Sequence, residues 1–392
     1  MPYFTFILSL LQPVLALPFA FIEILKKNSR HLPVFCISLF FSFLTFTLKP
    51  VEALDLSRHY QRIVGLRGLS LENVIQNSNI GYFAFDIYAW VINSLHLPKE
   101  AFASSIVFIS YYLILSVFID VKVRYNKNMS QLLVIIIFLI FWLSIGYFGL
   151  SSGLRNPLAN IVVFFISYQL FLYKRIGLFF FGSVLAFFIH PFAVVPSIAA
   201  YLSYNFSLVS KQAKTLVYLG LICSLSSKLI AFGLDKILVY ISYLSFYSPS
   251  YFDFDSNVGG AAYQNVSSNE FIALVVLPKV PVYLAYFYLI AIKPKTNNSL
   301  YLLLCFLCLY LGFFNSFGTV YNRMAAFFLF VFAIFISQEA IYNNSKNIQR
   351  FILLYILSLI AYSLMSIYTF RLYLITGLPD LLKPFLFVLF QI

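Results

Sequence analysis

Residues 153–190 read GLRNPLANIVVFFISYQLFLYKRIGLFFFGSVLAFFIH, and this stretch decides the fold. Two apolar segments flank a tight basic turn formed by Lys174 and Arg175. Arg155 stands at the start of the first segment, and His190 ends the second. If both segments cross a bilayer, the arginine and the histidine return to the same side of it. We therefore expect a cation and a titratable imidazole to face each other at one membrane surface.

The composition is that of an integral membrane protein. The chain has 392 residues, of which 62% are apolar and only 10% are charged, with a mean hydropathy of +0.91. A soluble domain carries about 25% charged residues. Each bilayer crossing needs roughly 20 apolar residues, so about a dozen crossings use most of the length. We predict an all-α protein with a single polytopic membrane domain over residues 1–392.

The positive charge is distributed as in membrane loops. The net charge is +13, but the bases stand singly or in small groups between apolar segments. This spacing favours membrane lipids as partners and no nucleic acid. The four cysteines lie in apolar runs, and the C-x-x-C pair Cys305 and Cys308 has no second ligand pair. We therefore expect packing roles for them, with no metal and no cofactor.

The basic residues also predict the orientation, since they stay on the cytoplasmic side. We predict about twelve crossings plus one re-entrant or interfacial helix, with both termini periplasmic and outer loops at about 49–80 and 235–269. The first apolar stretch has no basic region before it, so we expect a retained helix rather than a signal peptide. No internal repeat is evident, which weakens the interpretation of the chain as a transporter built from inverted repeats. The predicted crossings are 3–25, 32–48, 101–119, 131–150, 157–173, 176–189, 191–204, 215–234, 270–292, 300–317, 321–337 and 351–368.

The segment 81–97 is the exception to this alternation. It is short and carries Asp86 in its middle. If it crossed the membrane fully, the basic residues Lys122, Arg124 and Lys127 would lie outside the cell. We therefore predict that it is the re-entrant or interfacial helix on the outer side, where irregular insertion is tolerated if it lines a protein cavity.

His190 is the first candidate for chemistry. The segment 176–189 is about 21 Å long as a helix, whereas the hydrocarbon core is about 30 Å thick. Pro191 then breaks the helix, so we expect His190 below the outer interface, in a cavity. Histidine suits proton transfer near neutral pH, and ionisable groups within a membrane are functional candidates. The other interpretation is a histidine that is hydrogen-bonded between helices.

Charged residues elsewhere on the outer side are the remaining candidates. Arg155 and Arg323 each open an inward-running segment, and arginine forks onto phosphate oxygens, although both could simply snorkel to the interface. Asp253 and Asp255 lie in an aromatic-rich loop, 240–271, which suits sugar rings but also fits an interfacial aromatic belt. Asp55 lies near Arg58 in a stretch that a solvated surface would explain equally well.

Several of these residues fall into a pattern that resembles the EpsG-type and O-antigen (Wzy) polysaccharide polymerases. GLRNPLA at Gly153–Ala159 resembles that family's G-[IL]-R-Q-x-x-A motif. FFIHPFAVV at Phe187–Val195 resembles its F-H-x-x-A-[LI] stretch, which follows at a similar distance. Asp55 with Tyr60 resembles the family's outer D-x-x-x-Y element. Residues 79–82 resemble the entrance to its short helix. Arg323 resembles a later arginine of the family.

The resemblance implies a polymerase acting on undecaprenyl-pyrophosphate-linked oligosaccharides at the periplasmic face of a bacterial inner membrane. A glycan is transferred from its lipid pyrophosphate to a sugar hydroxyl of an incoming repeat unit. A chain-length regulator and a flippase are candidate partners. The resemblance implies that Arg155, Arg323 and Arg58 contact the pyrophosphate. It implies His190 as the general base, with Asp55 as the second choice. It implies that Asp253, Asp255 and Tyr60 contact the glycan.

Other function classes stay open at this point. A lipid-linked saccharide flippase would need polar gates on both faces, whereas the inner loops here are short and simply basic. A membrane acyltransferase that modifies surface sugars also uses an intramembrane histidine, but outer arginines fit it less well. An O-antigen ligase or a polyprenyl-phosphate-sugar glycosyltransferase would use related chemistry.

Overall fold

The structure is a computed structural model, and it describes residues 2–26, 31–49, 55–78, 81–125, 129–206, 210–227, 276–292, 298–343 and 345–369. Every regular element within these ranges is helical, which agrees with the predicted fold class. The helices of the first half are α1 (Pro2–Leu11), α2 (Pro13–Leu25), α3 (His31–Phe46), α4 (Asp55–Gly65), α5 (Leu71–Asn77), α6 (Phe83–Ser94), α7 (Lys99–Tyr125), α8 (Gln131–Ser144) and α9 (Tyr147–Gly153). Those of the second half are α10 (Arg155–Tyr173), α11 (Ile176–Ile189), α12 (Val194–Asn205), α13 (Ser210–Leu225), α14 (Lys279–Ala291), α15 (Asn298–Phe313), α16 (Gly318–Tyr342) and α17 (Lys346–Thr369).

The described residues fall into two compact units. The first takes those within Met1–Phe165 and Val184–His190, and the second those within Ile166–Ser183 and Pro191–Thr369. Helices α10 and α11 therefore contribute one part to each unit. Arg155 and His190 both belong to the first unit.

The protein is membrane-embedded. Among the described residues, five helical stretches are long and apolar enough to cross a bilayer: Lys99–Tyr125, Gln131–Gly153, Arg155–Tyr173, Val320–Tyr342 and Lys346–Ile367. Shorter apolar helices accompany them, including Ile176–Ile189, which has the predicted bounds. An apolar helix satisfies all of its backbone hydrogen bonds internally, which is what a bilayer demands.

Two predicted crossings are interrupted in the structure. Segment 3–25 forms α1 and α2, because Pro13 cannot donate a hydrogen bond and its ring crowds the preceding turn. The chain stays close to helical there, since the Gln12 amide still donates to the Leu8 carbonyl at 2.7 Å. In segment 131–150, helix α8 ends at Ser144 and helix α9 begins at Tyr147, directly after Gly146.

In the first unit, side chains of α7 and α8 close the end of α2. Lys122 of α7 is fully buried, and its Nζ donates to the carbonyls of Ile24 at 2.8 Å and Lys26 at 2.9 Å. Gln131 Nε2 donates to the Leu25 carbonyl at 3.0 Å. The last carbonyls of a helix have no partner within it, so these contacts fix α7 and α8 against α2.

In the second unit, α13 and α15 pack with their backbones in contact. A Cβ on Gly312 would lie 1.9 Å from the Gly220 carbonyl oxygen, and a Cβ on Gly220 would lie 2.5 Å from that of Cys308. Only glycine fits at such a crossing, and small residues are what allow membrane helices to approach closely. Cys305 and Cys308 are buried in this interface, as the packing interpretation predicted.

Candidate functional site: an arginine cluster around Tyr82

Helix α4 presents two sets of side chains on opposite faces. Both sets follow the i, i+3, i+4, i+7 spacing that places residues on one side of a helix. One set lines an open groove: Ser57, Tyr60, Gln61 and Val64. The other set belongs to a cluster of charged groups: Asp55, Arg58, His59 and Arg62.

Asp86 of α6 holds Arg62 in a fixed orientation. Arg62 Nε and Nη2 each donate to one carboxylate oxygen of Asp86, both at 2.6 Å. The Ser78 hydroxyl donates to the same carboxylate. The Asp86 side chain is 2% exposed, so its charge is satisfied by these partners rather than by water. The acid in the middle of segment 81–97 is therefore explained by its link to the polar helix α4.

Arg155 enters the same cluster from the start of α10. Leu154, just before it, is buried and has a positive φ of 33°, which turns the chain sharply between α9 and α10. Arg155 Nη1 donates to the Gly81 carbonyl at 2.8 Å. The Cζ of Arg155 lies 3.4 Å from the Tyr82 ring centre, and that of Arg62 lies 4.2 Å from it. One aromatic ring thus supports two guanidinium groups through cation–π attraction.

His59 is the buried imidazole of this cluster. Its ring packs against Phe85 with the ring centres 5.1 Å apart. Burial, followed by the positive charges of Arg155, Arg58 and Arg62, lowers the pKa of His59 to about 3. The ring is therefore neutral at physiological pH and adds no charge of its own.

Among the described residues, positive charges outnumber negative ones in the cluster. Its three arginines face two carboxylates, Asp86 and Asp55. Asp55 pairs with Arg58 one turn along α4, and both side chains are more than half exposed to solvent. Such an exposed pair is weak and exchanges readily with water or a ligand. The arrangement suits a partly buried anion with several oxygen acceptors.

His190 lies at the end of α11 and is buried, with its amide donating to the Ala186 carbonyl at 2.9 Å. Phe188, two residues earlier, packs against Phe83 with ring centres 5.6 Å apart. The end of α11 and the guanidinium of Arg155 therefore both reach the short stretch 81–83. That Arg155 and His190 face each other at one membrane surface stays a prediction.

Tyr60 belongs to the groove on the other face of α4. The groove has a volume of about 620 Å³, and Lys49, Lys99 and Glu100 also line it. Lys99 Nζ lies 5.5 Å from the centre of the Tyr60 ring. Burial, with a smaller contribution from Glu100, raises the pKa of Tyr60, so its phenol stays protonated. The groove offers an aromatic ring, amide and hydroxyl groups, and charges of both signs.

The remaining predicted residues lie elsewhere. Arg323 is in the second unit, in the second turn of α16, and is partly exposed. Asp253 and Asp255 lie outside the described residues, as does the predicted outer loop at 235–269, so their glycan role stays a prediction. Within the described ranges, no group of three or more side chains is suited to hold a metal ion.

Sequence reasoning did not select four members of the cluster: Arg62, Tyr82, Asp86 and His59. Asp86 was the available signal, because an acid in an apolar segment requires a partner. Of the arginines in this stretch only Arg58 was a predicted site residue, and the Arg62–Asp86 contact depends on the packing of α4 on α6.

Comparisons of the chain with protein-family models, with curated proteins and with solved structures found no match.

Proposed function

We propose that this protein is a polymerase that joins undecaprenyl-pyrophosphate-linked oligosaccharide repeat units of a surface polysaccharide. The observation that carries the proposal is the cluster around Tyr82, where Arg155 lies beside an Arg62 that Asp86 has already oriented. A polyprenyl pyrophosphate is an anion attached to a lipid. It requires cations at the end of membrane helices, which is where Arg155 stands.

The arginines would hold the pyrophosphate and stabilise it as it leaves. Negative charge accumulates on the pyrophosphate when its bond to the sugar breaks, and preorganised cations lower the barrier by stabilising that charge. Arg155 is held by the Gly81 carbonyl and the Tyr82 ring, so little reorganisation is needed. Arg58 adds a mobile guanidinium at the exposed edge of the cluster.

His190 is the proposed base for the acceptor hydroxyl. A sugar hydroxyl becomes a better nucleophile when a nearby base accepts its proton as the new glycosidic bond forms. His190 is buried at the end of α11, which contacts the stretch that also positions Arg155. His59 is less suited to this role, because burial, together with the nearby arginines, lowers its pKa to about 3.

The groove lined by Tyr60 is the proposed site for the sugars. Its volume of about 620 Å³ lies within the roughly 300–1,000 Å³ range of ligand sites. Helix α4 would then stand between the glycan on one face and the pyrophosphate on the other. A single helix would then contact both the sugar end and the phosphate end of one substrate.

We propose a bacterial inner-membrane location, about twelve crossings, periplasmic termini and a site facing the periplasm. Helix α6 supports a re-entrant or interfacial segment, because its 12 residues span only about 18 Å and Asp86 ties it to the polar α4. Membrane-impermeant labelling of a cysteine placed at Pro98 tests this topology. Labelling from the periplasmic side is expected, and labelling only from the cytoplasm would overturn it.

The decisive experiment on function is complementation of a deletion strain, read as the length distribution of its lipopolysaccharide. Loss of the protein is expected to leave the lipid core capped with single repeat units. Arg155→Ala and His190→Ala should each fail to restore long chains while the variants still insert into the membrane. A deletion strain that places no repeat units on the outer face would instead identify a flippase. Accumulation of free lipid-linked polymer would identify a ligase.

A further inference from the structure

A second groove in the first unit lies apart from the arginine cluster. It has a volume of about 540 Å³ and is formed by the chain after α4, residues 66–70, and by the end of α6, residues 90–97. Trp90, Arg67, Asn93 and His96 are among the side chains that line it. Neither the proposed polymerisation chemistry nor the sequence motifs give this groove a role.

Trp90 is held in a fixed orientation. Its indole Nε1, the only polar atom of the side chain, donates to the Leu69 carbonyl at 3.1 Å. A tryptophan of an interfacial belt directs its N–H to the lipid headgroups. Here the N–H is used within the protein, and the ring lines a cavity with polar neighbours.

The polar side chains of the groove are also in place before any ligand binds. Asn93 Nδ2 donates to the Ile63 carbonyl at 2.8 Å, while its Oδ1 is a buried acceptor with no hydrogen-bond partner in the structure. Together with the Trp90 contact, this bond ties α6 to the end of α4. Arg67 and His96 are exposed at the edge of the groove.

This combination of groups fits a saccharide better than a phosphate. A sugar presents an apolar C–H face that packs on an aromatic ring and a rim of hydroxyls that both donate and accept hydrogen bonds. Trp90 supplies the ring, and Arg67, Ser94 and His96 supply polar groups around it. Neither lysine nor a carboxylate contributes to the described lining, so a strongly charged headgroup finds one guanidinium only.

We propose that the Trp90 groove is a second saccharide-binding site, which holds a glycan segment away from the arginine cluster. The identity of that glycan as the protein's own polysaccharide rests on the proposed function, whereas the groove itself does not. A polymerase that retains its growing chain needs such a site in addition to the one where the bond forms. Binding there would keep the chain in place between successive transfers.

Intrinsic fluorescence tests this proposal, because the chain has only two tryptophans, Trp90 and Trp142. Trp142 stacks on Phe138 in α8, so Trp142→Phe keeps an aromatic ring there and leaves Trp90 as the sole reporter. The purified variant in nanodiscs is titrated with short oligosaccharides released by mild acid from the host's own surface polysaccharide. Parallel titrations use inorganic phosphate and short-chain phosphatidylglycerol. If Trp142→Phe lowers the melting temperature, the unmodified chain is compared with Trp90→Phe, and the difference isolates the Trp90 signal.

The expected result is a saturable change in Trp90 emission with the oligosaccharide and none with either phosphate compound. Arg67→Gln, at an exposed position, should weaken binding by about tenfold. Arg155→Ala should bind the oligosaccharide as the parent does, even though polymerisation requires Arg155. The proposal is overturned if Trp90 emission does not change with the oligosaccharide, or if it changes equally with phosphate. It is also overturned if Arg67→Gln and His96→Gln both bind the oligosaccharide as tightly as the parent does. If Arg155→Ala makes normal polymer while Trp90 still reports binding, the proposed function fails and the saccharide groove stands.

Discussion

The arginines of the Tyr82 cluster and three lysines that contact helix ends have different partners. Arg155 and Arg62 lie over the Tyr82 ring, and the buried carboxylate of Asp86 accepts both hydrogen bonds of the Arg62 fork. The lysines instead donate to backbone carbonyls at or just past helix C-termini. Lys122 closes α2, Lys214 reaches the Ile290 carbonyl of α14 at 2.7 Å, and Lys279 reaches the Asn315 carbonyl after α15 at 3.0 Å.

Lys279 makes the contrast clearest, because it too lies near a tyrosine ring. Its Nζ is 4.9 Å from the centre of the Tyr321 ring. Its hydrogen-bond acceptor is the backbone carbonyl of Asn315, just after α15. A lysine that completes a helix end stabilises the fold. A group of arginines with surplus charge is suited to bind an anion. The partners of a cationic side chain therefore indicate its role better than its burial does.

The largest expected effect separates the two regions by activity. Arg155→Ala should lower polymer synthesis by about 10²–10³-fold, the size expected when one preorganised contact to a developing charge is lost. Arg155→Lys should also fail, because an ammonium cannot reproduce the planar fork or its stacking on Tyr82. Lys279→Met, the matched control, should leave synthesis intact at temperatures where the protein is folded. The chain-length distribution of the polysaccharide in complemented cells measures the activity of all three variants. Loss of long chains in Lys279→Met would contradict the difference in function between the arginine cluster and the lysine contacts.

The next effect concerns how the cluster is held together. Asp86→Asn should destabilise the protein by about 1–3 kcal/mol, because it breaks a charge-assisted fork and leaves Arg62 partly buried without its counter-ion. The loss is less than for a fully enclosed pair, since Arg62 is 37% exposed. Asp55→Asn, in the exposed pair, should cost only about 0–0.5 kcal/mol. Thermal unfolding in detergent compares them, and equal losses would mean that Asp86 does not organise the cluster.

His59 links the cluster to pH. Its pKa is about 3 in the folded protein, whereas a free histidine titrates near 6.5. Below pH 6.5 the unfolded chain therefore binds a proton that the folded chain does not, so stability falls as the pH drops from about 6.5 towards 3. His59→Gln should reduce this acid sensitivity, measured as the change in melting temperature between pH 7 and pH 5. An identical pH dependence in the variant would contradict the neutral, arginine-surrounded imidazole.

The smallest effect is on a lysine cap. Lys279→Met should lower stability by about 1 kcal/mol through the lost helix-end contact. Lys211→Met, at an exposed position of α13, serves as the control and should be close to neutral. Melting temperatures in the same detergent measure both. A larger loss in Lys211→Met than in Lys279→Met would argue against the capping role.

Hydropathy and charge predict the helical fold class and several of the apolar helices, but not the polar helices α4 and α5. The bounds of α11 were predicted to the residue, and the separate character of segment 81–97 followed from Asp86 and its short length. The interruption at Pro13 was readable from the proline itself. The break between α8 and α9 was not, because the run through Ile145 and Gly146 stays apolar.

The site was only partly predictable, because its contacts join distant parts of the chain. Arg155 was selected from its position at a segment start, but its partners Gly81 and Tyr82 lie 74 and 73 residues away in sequence. The Arg62–Asp86 fork depends on how α4 packs on α6, which no single-segment pattern encodes. Lys122 lies beyond the predicted crossing 101–119, and its burial was not predicted because its carbonyl partners are remote in sequence.

The most direct test of the central claim is the affinity of the purified protein for undecaprenyl pyrophosphate without any sugar, measured in nanodiscs. If the Tyr82 cluster holds the pyrophosphate, Arg155→Lys should weaken binding by about tenfold or more, while Lys279→Met binds as the unmodified protein does. Equal affinity in all three proteins would contradict the account, because the lipid pyrophosphate would then be held by other residues.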